Sequence, residues 1–277
     1  MLTKNTCAFV TCILPSARFL HVSVRLWNPT LSQRESIDSA KSKIVHFIRH
    51  GQGYHNFIDG IAKEAGAIIS DVDDYDVAVQ ENRFYIKPQL QDPPLTAEGY
   101  ADAKKLQVLV ANSNKQFFNP KLFIVSPLRR ATQTALFGFN HYISEKEKDE
   151  KMEIAVIALE SCREQCGIYY SDKRSDVCDI SIEFPRVNYE YINSNEDIMW
   201  KKHSRESATE MLSRQEEFLS FIRSRTEADE MVVVTHSGWL SVLTNCMLTI
   251  EEPGQSESIQ SMFATGEMRS LLLSWRD

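Results

Sequence analysis

The sequence predicts an α/β sandwich in which a central, mainly parallel sheet is flanked by helices. Five short apolar runs, Ile44–Ile48, Leu122–Val125, Ile154–Leu159, Met231–Thr235 and Leu271–Leu273, have the length and composition of buried strands. Segments with helical apolar spacing fall between them. Unusual polar residues stand where three of the runs stop: Arg49-His50-Gly51, Ser126 through Arg130, and His236-Ser237-Gly238. Ligands of open α/β sheets bind beyond the carboxyl ends of the strands, so these three places form the candidate site.

From the N terminus, residues 1–34 contain Lys4, Arg18, Arg25 and Arg34 and no acid. Such a leader, with Phe9, Val10, Phe19 and Leu20 as apolar patches, reads either as an organellar transit peptide or as an untargeted extension. Residues 1–40 are therefore set apart as an N-terminal extension from a main domain at 41–277. No run approaches the roughly 20 apolar residues of a membrane-spanning helix. The first strand, Ile44–Ile48, ends at the first polar cluster. Residues 59–93 are less regular, and Asp71–Asp76 departs from a calcium loop because Asp76 and Asn82 stand where that loop needs Gly and Glu, which leaves a solvated acidic loop.

Thr96 reads as the N-cap of a helix whose buried face carries Tyr100, Ala103, Leu106 and Val110. Leu122–Val125 passes through Ser126-Pro127 into a helix from Leu128, and the charged stretch Glu145–Glu153 reads as a surface loop before Ile154–Leu159. Glu206–Arg225 is amphipathic, through Ala208, Met211, Leu212, Phe218, Leu219 and Ile222. Met231–Thr235 leads into a helix from Gly238, and Leu271–Leu273 closes the series.

Composition narrows the function. A chain of 277 residues, 43% hydrophobic and 25% charged, with 10 Gly and 9 Pro, is neither disordered nor collagenous. Its 31 bases and 38 acids leave a formal charge of −7, a field that repels nucleic acid and acidic membranes, so neither is an expected partner. Cys7, Cys12, Cys162, Cys166, Cys178 and Cys246 are too few and too scattered for a disulfide framework and lack zinc-site spacing, so no metal or cofactor is expected. The absence of a glycosylation sequon agrees with an intracellular, soluble protein, cytoplasmic by default, or of the mitochondrial or plastid matrix if residues 1–40 are a transit peptide.

Two histidines and two arginines delivered to one sheet edge suit a phosphate dianion. Arginine offers a permanently charged fork matched to phosphate oxygens, and the helix after Pro127 adds N–H groups. A neutral imidazole there can attack phosphorus while the cations offset the charge of the transferring group, without a metal. His46, inside its strand, reads as a satisfied core residue. His55 stays open between a substrate contact and a loop brace. Lys173 and Arg174 beside Asp172 read as solvated or ion-paired surface, and Trp200 and Trp239 as packing.

Arg49-His50-Gly51 with Asn56 six residues after the histidine, then Ser126-Pro127-Leu128-Arg129-Arg130-Ala131-Thr132-Gln133-Thr134, then Cys162-Arg163-Glu164-Gln165-Cys166-Gly167, then Thr235-His236-Ser237-Gly238, appear in that order. This series resembles the histidine phosphatase superfamily, which includes the cofactor-dependent phosphoglycerate mutases. Through Gln52-Gly53-Tyr54-His55-Asn56, Asp172-Lys173-Arg174 and Trp200 it looks most like the plant and fungal phosphoglycerate mutase-like branch. The likeness covers about residues 44–275. It implies a three-layer sandwich with His50 as the nucleophile that becomes phosphohistidine. Arg49, Arg130 and His236 would hold the phosphoryl group, with Asn56 as an accessory donor. Glu164 would protonate the leaving alcohol and later act as base toward water. Gly167 follows Glu164 by three residues where the mutases have four, which keeps Glu160 as an alternative.

The function so implied is metal-independent hydrolysis of a small phosphorylated metabolite. A phosphoglycerate mutase ranks lower, because Glu-Gln-Cys-Gly replaces the mutases' Glu-Arg-His-Tyr-Gly string. A catalytically inactive binding member of the fold is the third reading. Substrate identity and oligomeric state are not legible in the sequence.

Overall fold

Apolar alternation along the central strands builds two cores, one on each side of a sheet. The computed structural model describes residues 21–27, 38, 41–66, 83, 86–113, 118–151 and 153–275. Its strands are β1 (Val22–Leu26), β2 (Ser42–Arg49), β3 (Leu122–Val125), β4 (Ala155–Ala158), β5 (Glu230–Thr235), β6 (Leu248–Ile250) and β7 (Met268–Trp275). They pair in the order β4-β3-β5-β2-β7-β1-β6. The four strands from β4 to β2 are parallel, β7 runs antiparallel to β2 and β1, and β6 is parallel to β1.

The main helices are α1 (Tyr54–Glu64), α2 (Ala97–Ala111), α3 (Arg129–Glu150), α4 (Val177–Glu183), α5 (Ala208–Ser224), α6 (Ser237–Val242) and α7 (Ser256–Gln260). Along β5, Met231 and Val233 enter one core with Phe218, Leu219 and Ile222 of α5 and with Trp239. Val232 and Val234 enter the other with Ala131, Ala135 and Phe139 of α3 and Leu106 and Val110 of α2. Successive side chains of a strand face opposite ways, so a strand covered on both faces reads as an unbroken apolar run. The result is the expected three-layer sandwich. Thr96 caps α2 by accepting from the Gly99 amide at 3.1 Å, and Ser207 with Glu210 forms a capping box at the start of α5.

Register places the site. Arg49 of β2 pairs with Thr235 of β5, and Val234 of β5 pairs with Val125 of β3. His50, His236 and Ser126 are therefore the first residues past three neighbouring strand ends.

Several expectations need correction. The boundary at residue 40 is misplaced, because Val22–Leu26 is part of the sheet: Val22 and Val24 are fully buried and β1 pairs with both β7 and β6. Five residues whose partners lie more than two hundred positions away carry no local sign of that pairing. Residues 1–20 and Asp71–Asp76 lie outside the described residues, and with them the transit-peptide and acidic-loop expectations. The charged stretch from Glu145 is helical to Glu150, since α3 continues until Lys151 adopts a left-handed φ of 52°. Its charges form the outer face of a long helix rather than a loop. Within the irregular stretch, α1 is regular through Glu64, and Tyr100 of α2 packs on Phe137 at the surface rather than in the core. Among the described residues no helix is long and apolar enough to cross a membrane.

Candidate functional site

Beyond the ends of β2, β5 and β3 lies a cavity of about 310 Å³, lined on different sides by His50, Arg130, Glu164, Arg205 and the inner face of α1. His50 begins the turn after β2, where its amide still donates to Thr235 O at 2.9 Å. The Gly51 carbonyl lies 2.6 Å from its Nδ1, so Nδ1 carries the proton and Nε2 keeps its lone pair. Nε2 meets the Arg130 Nε–H at 3.2 Å. Burial first, then the charges of Arg130 and Arg49, hold the His50 pKa well below its ordinary 6.5, against the Gly51 bond. The imidazole is neutral at pH 7, the state a nucleophile needs.

Arg130, in the first turn of α3, is fully buried. It donates to Ser171 O at 2.6 Å and to Asp172 Oδ1 at 3.0 Å. Arg49 donates through Nη1 to Phe263 O at 2.8 Å, and its Nε is buried without a partner. The His236 ring stands edge-on to His50 at 5.0 Å, with Nε2 2.7 Å from Ser126 Oγ and Nδ1 buried and unpartnered. Burial, Arg130 and the neighbouring histidines keep His236 neutral as well. Neither Arg49 nor His236 is among the residues that line the cavity, though both adjoin His50. Asn56 does line it, while its Oδ1 accepts from the Gly53 amide at 3.0 Å.

The two candidate acids separate cleanly. Glu164 lines the cavity, and its carboxylate accepts from the amides of Gln165 at 3.0 Å and of Gly238 and Trp239 at 3.1 Å each. Residue 238 is glycine because a Cβ there would lie 2.4 Å from Glu164 Oε1. Burial, followed by the charge of Asp172, pushes the Glu164 pKa up, and the amides only partly oppose it. Glu160 is outside the cavity and is bridged by Arg174 and Arg163, both at 2.8 Å. A carboxylate neutralised by two guanidiniums is a structural ion pair, and of the two acids Glu164 alone lines the cavity.

Of the other residues singled out in the sequence, Arg129 makes a two-bond pair with Glu183 at the surface, at 2.9 and 2.8 Å. Arg174 corrects the surface reading of the basic pair: it is fully buried and ties together the backbone of Ser194, Asn195 and Glu196. Lys173 stays outside, its ammonium over the Trp200 ring at 5.1 Å. Trp239 packs in the core beside Phe47 and Phe218.

Sequence reasoning missed Asp172, Arg205 and Tyr169 as lining residues of the cavity. Asp172 receives both Arg130 and Arg205, and the Arg205 guanidinium lies 3.9 Å over the Tyr169 ring. Arg205 stands just before the Ser207 capping box, and a cation at a helix entry was its only local signal. Cys162 and Cys166 are buried free thiols and Cys178 is exposed; burial pushes Cys162 up to about 12 and Cys166 up to about 11, values at which neither is a thiolate ligand at neutral pH.

Residues 79–261 match the profile of the histidine phosphatase superfamily (branch 1). That span holds Arg130, Glu164 and His236, while His50 lies before it. Phosphoglycerate mutase-like protein 1 of Arabidopsis thaliana is 29% identical over 253 residues, 84% of this chain and 82% of its own. Phosphoglycerate mutase-like protein 2 of the same plant is 26% identical over 276 residues, 84% of this chain and 74% of its own. Among solved structures, an alpha-ribazole phosphatase from Shigella flexneri shares 18% identity over 84% of this chain and 94% of that one, with a TM-score of 0.48.

Proposed function

Because the chain belongs to the histidine phosphatase superfamily, we propose that it is a metal-independent phosphatase that hydrolyses a small phosphomonoester through a phosphohistidine on His50. One observation carries this reading: a neutral imidazole whose Nδ1 is tied to Gly51 O presents Nε2 beside Arg130, in a cavity that also contains a carboxyl group of raised pKa.

In the first step, His50 Nε2 forms a bond to phosphorus as the ester P–O bond breaks, and Glu164 gives its proton to the departing alkoxide. Arg130, Arg49 and His236 offset the charge on the transferring phosphoryl oxygens. In the second step, water attacks the phosphohistidine, the P–N bond breaks, and the Glu164 carboxylate takes the water proton. The cycle returns His50 neutral and Glu164 protonated, and releases inorganic phosphate. Arg205, Tyr169 and Lys63, which also line the cavity, supply the contacts to the alcohol part of the ester.

The test is phosphate release from a panel of phosphomonoesters with EDTA present, run beside interconversion of 2- and 3-phosphoglycerate. Release that survives chelation and disappears in His50→Ala is expected. Rapid interconversion with negligible hydrolysis would make the protein a mutase, and silence in both assays would make it a binding member of the fold.

A further inference from the structure

We infer that His55 is a further residue of the phosphoryl site, its imidazole donating a hydrogen bond to the phosphoryl group held at His50. The inference rests on the phosphatase reading and adds a third imidazole to it. The orientation of α1 is its first support. Tyr54, Phe57 and Ile61 stand exposed on this helix, and none of its residues is fully buried, whereas His55, Asn56, Asp59 and Lys63 line the cavity. A helix held only for packing turns its apolar stripe inward. This one turns its polar face toward the site.

Bonding at the ring is the second support. His55 lies 5.6 Å from His50 between ring centroids, and its Nδ1 is shielded from water with no hydrogen-bond partner. A brace that fixed the loop would bond to the loop. Buried polar atoms are rarely left unsatisfied, and of those among the described residues, His55 Nδ1, His236 Nδ1 and Arg49 Nε gather around His50.

The third is Gly53. A Cβ at that position would lie 2.9 Å from both Cε1 and Nδ1 of His55 and 3.3 Å from Cδ of Arg130. Glycine therefore lets the His55 ring fold over the backbone, next to the arginine. Burial and the charges of Arg130, His50 and Arg49 hold the ring neutral, so it has one N–H to donate and adds no competing positive charge to the nucleophile.

The test uses inorganic phosphate as the probe, with binding read by calorimetry in the full-length protein and its His55→Ala, His55→Gln and Gly53→Ala variants. His55→Ala is expected to weaken phosphate by about tenfold or more, the value of a hydrogen bond to a charged group. His55→Gln, which keeps a donor, recovers part of that loss. Gly53→Ala removes no polar side chain from the pocket yet displaces the ring, and weakens phosphate as well. In the wild-type protein the His55 ring nitrogen resonances shift when phosphate is added, a readout that survives any folding defect of the variants. Unchanged phosphate affinity in His55→Ala with only a lower melting temperature, or ring resonances indifferent to phosphate, overturns the inference and leaves His55 a brace. A wild-type protein that binds no phosphate overturns the phosphatase reading itself, and this inference with it.

Discussion

His46 and His50 stand four residues apart on and just past β2, one in the middle of the sheet and one beyond its end, and they differ in what surrounds them. At mid-sheet both ring nitrogens of His46 are bonded, Nδ1 to Ser270 Oγ at 2.7 Å and Nε2 to Glu230 Oε1 at 3.0 Å. Strands β7 and β5 on either side close that site. Past the strand end the His50 ring lacks such cross-strand side-chain partners: Nδ1 bonds to Gly51 O and Nε2 meets Arg130 beside the cavity. Around it, nitrogens of Arg49, His55 and His236 have no partner. The same contrast separates Glu160, paired with two arginines, from Glu164, held by amides in the cavity, and Arg129, paired at the surface, from buried Arg130. His46, Glu160 and Arg129 are each held by paired side chains. Around the cavity, among the described residues, the unpartnered atoms are confined to Arg49 Nε, His55 Nδ1, His236 Nδ1 and Arg205 Nε, while Arg130 and Glu164 are bonded.

The sharpest test of that contrast exchanges the two histidines' fates. His50→Ala should remove phosphate release by about 10⁴-fold or more, the loss of a covalent nucleophile. His46→Ala should leave kcat/KM within a few-fold while costing about 2 kcal/mol in denaturant unfolding, because buried Glu230 and Ser270 each lose a hydrogen bond. Comparable activity losses in the two variants would dissolve the distinction.

Next in size are the two glutamates. Glu164→Gln should lower turnover of alkyl phosphates by about 10² to 10⁴-fold and that of p-nitrophenyl phosphate far less, since a good leaving group needs no proton. It should also abolish the loss of activity at high pH that reports deprotonation of this acid of raised pKa. Glu160→Gln should act on thermal stability instead. Activity loss confined to Glu160→Gln would reverse the assignment.

Smaller, and shared by the whole cluster, is a pH effect on folding. His50, His55 and His236 stay neutral far below 6.5 in the fold, whereas in the unfolded chain each takes up a proton near that value. The unfolded state binds more protons in that window, so stability is highest above 6.5. It falls as the pH drops below 6.5 toward the folded values, by up to about 1.4 kcal/mol per pH unit for each imidazole. Urea unfolding at about pH 7.5 and about pH 5.5 checks this, and His55→Gln should make the slope shallower. A flat profile would mean that the site takes up protons freely. Last comes Arg129→Ala, which breaks a half-exposed ion pair and should change stability by about 1 kcal/mol or less and activity not at all, measured on the same two assays.

Much of this was readable in the chain because the signals are local. Apolar runs identified the strands, and the polar residues at their ends, His50, Arg130 and His236, do come together in the structure. The charged stretch after Glu145 misled because charge marks exposure, and an exposed helix face looks like a loop when its buried stripe is thin: Ile143 and Lys146 are the last buried positions of α3. Lys146 is a lysine in a buried place, paired with Glu150. Spacing to Gly167 could not choose between Glu160 and Glu164, since the choice depends on which one meets Arg163 and Arg174 and which one meets the start of α6.

The sequence by itself determined the layers, the strand ends and the residue types brought to them, because burial periodicity and turn chemistry are written within a few neighbouring residues. Tertiary structure alone decided that Val22–Leu26 joins the sheet, that Glu164 rather than Glu160 enters the cavity, and that Asp172 and Arg205 complete its far wall. Those outcomes rest on partners tens to hundreds of residues apart, and hydrogen bonds and ion pairs of that reach exist only after the chain has closed on itself.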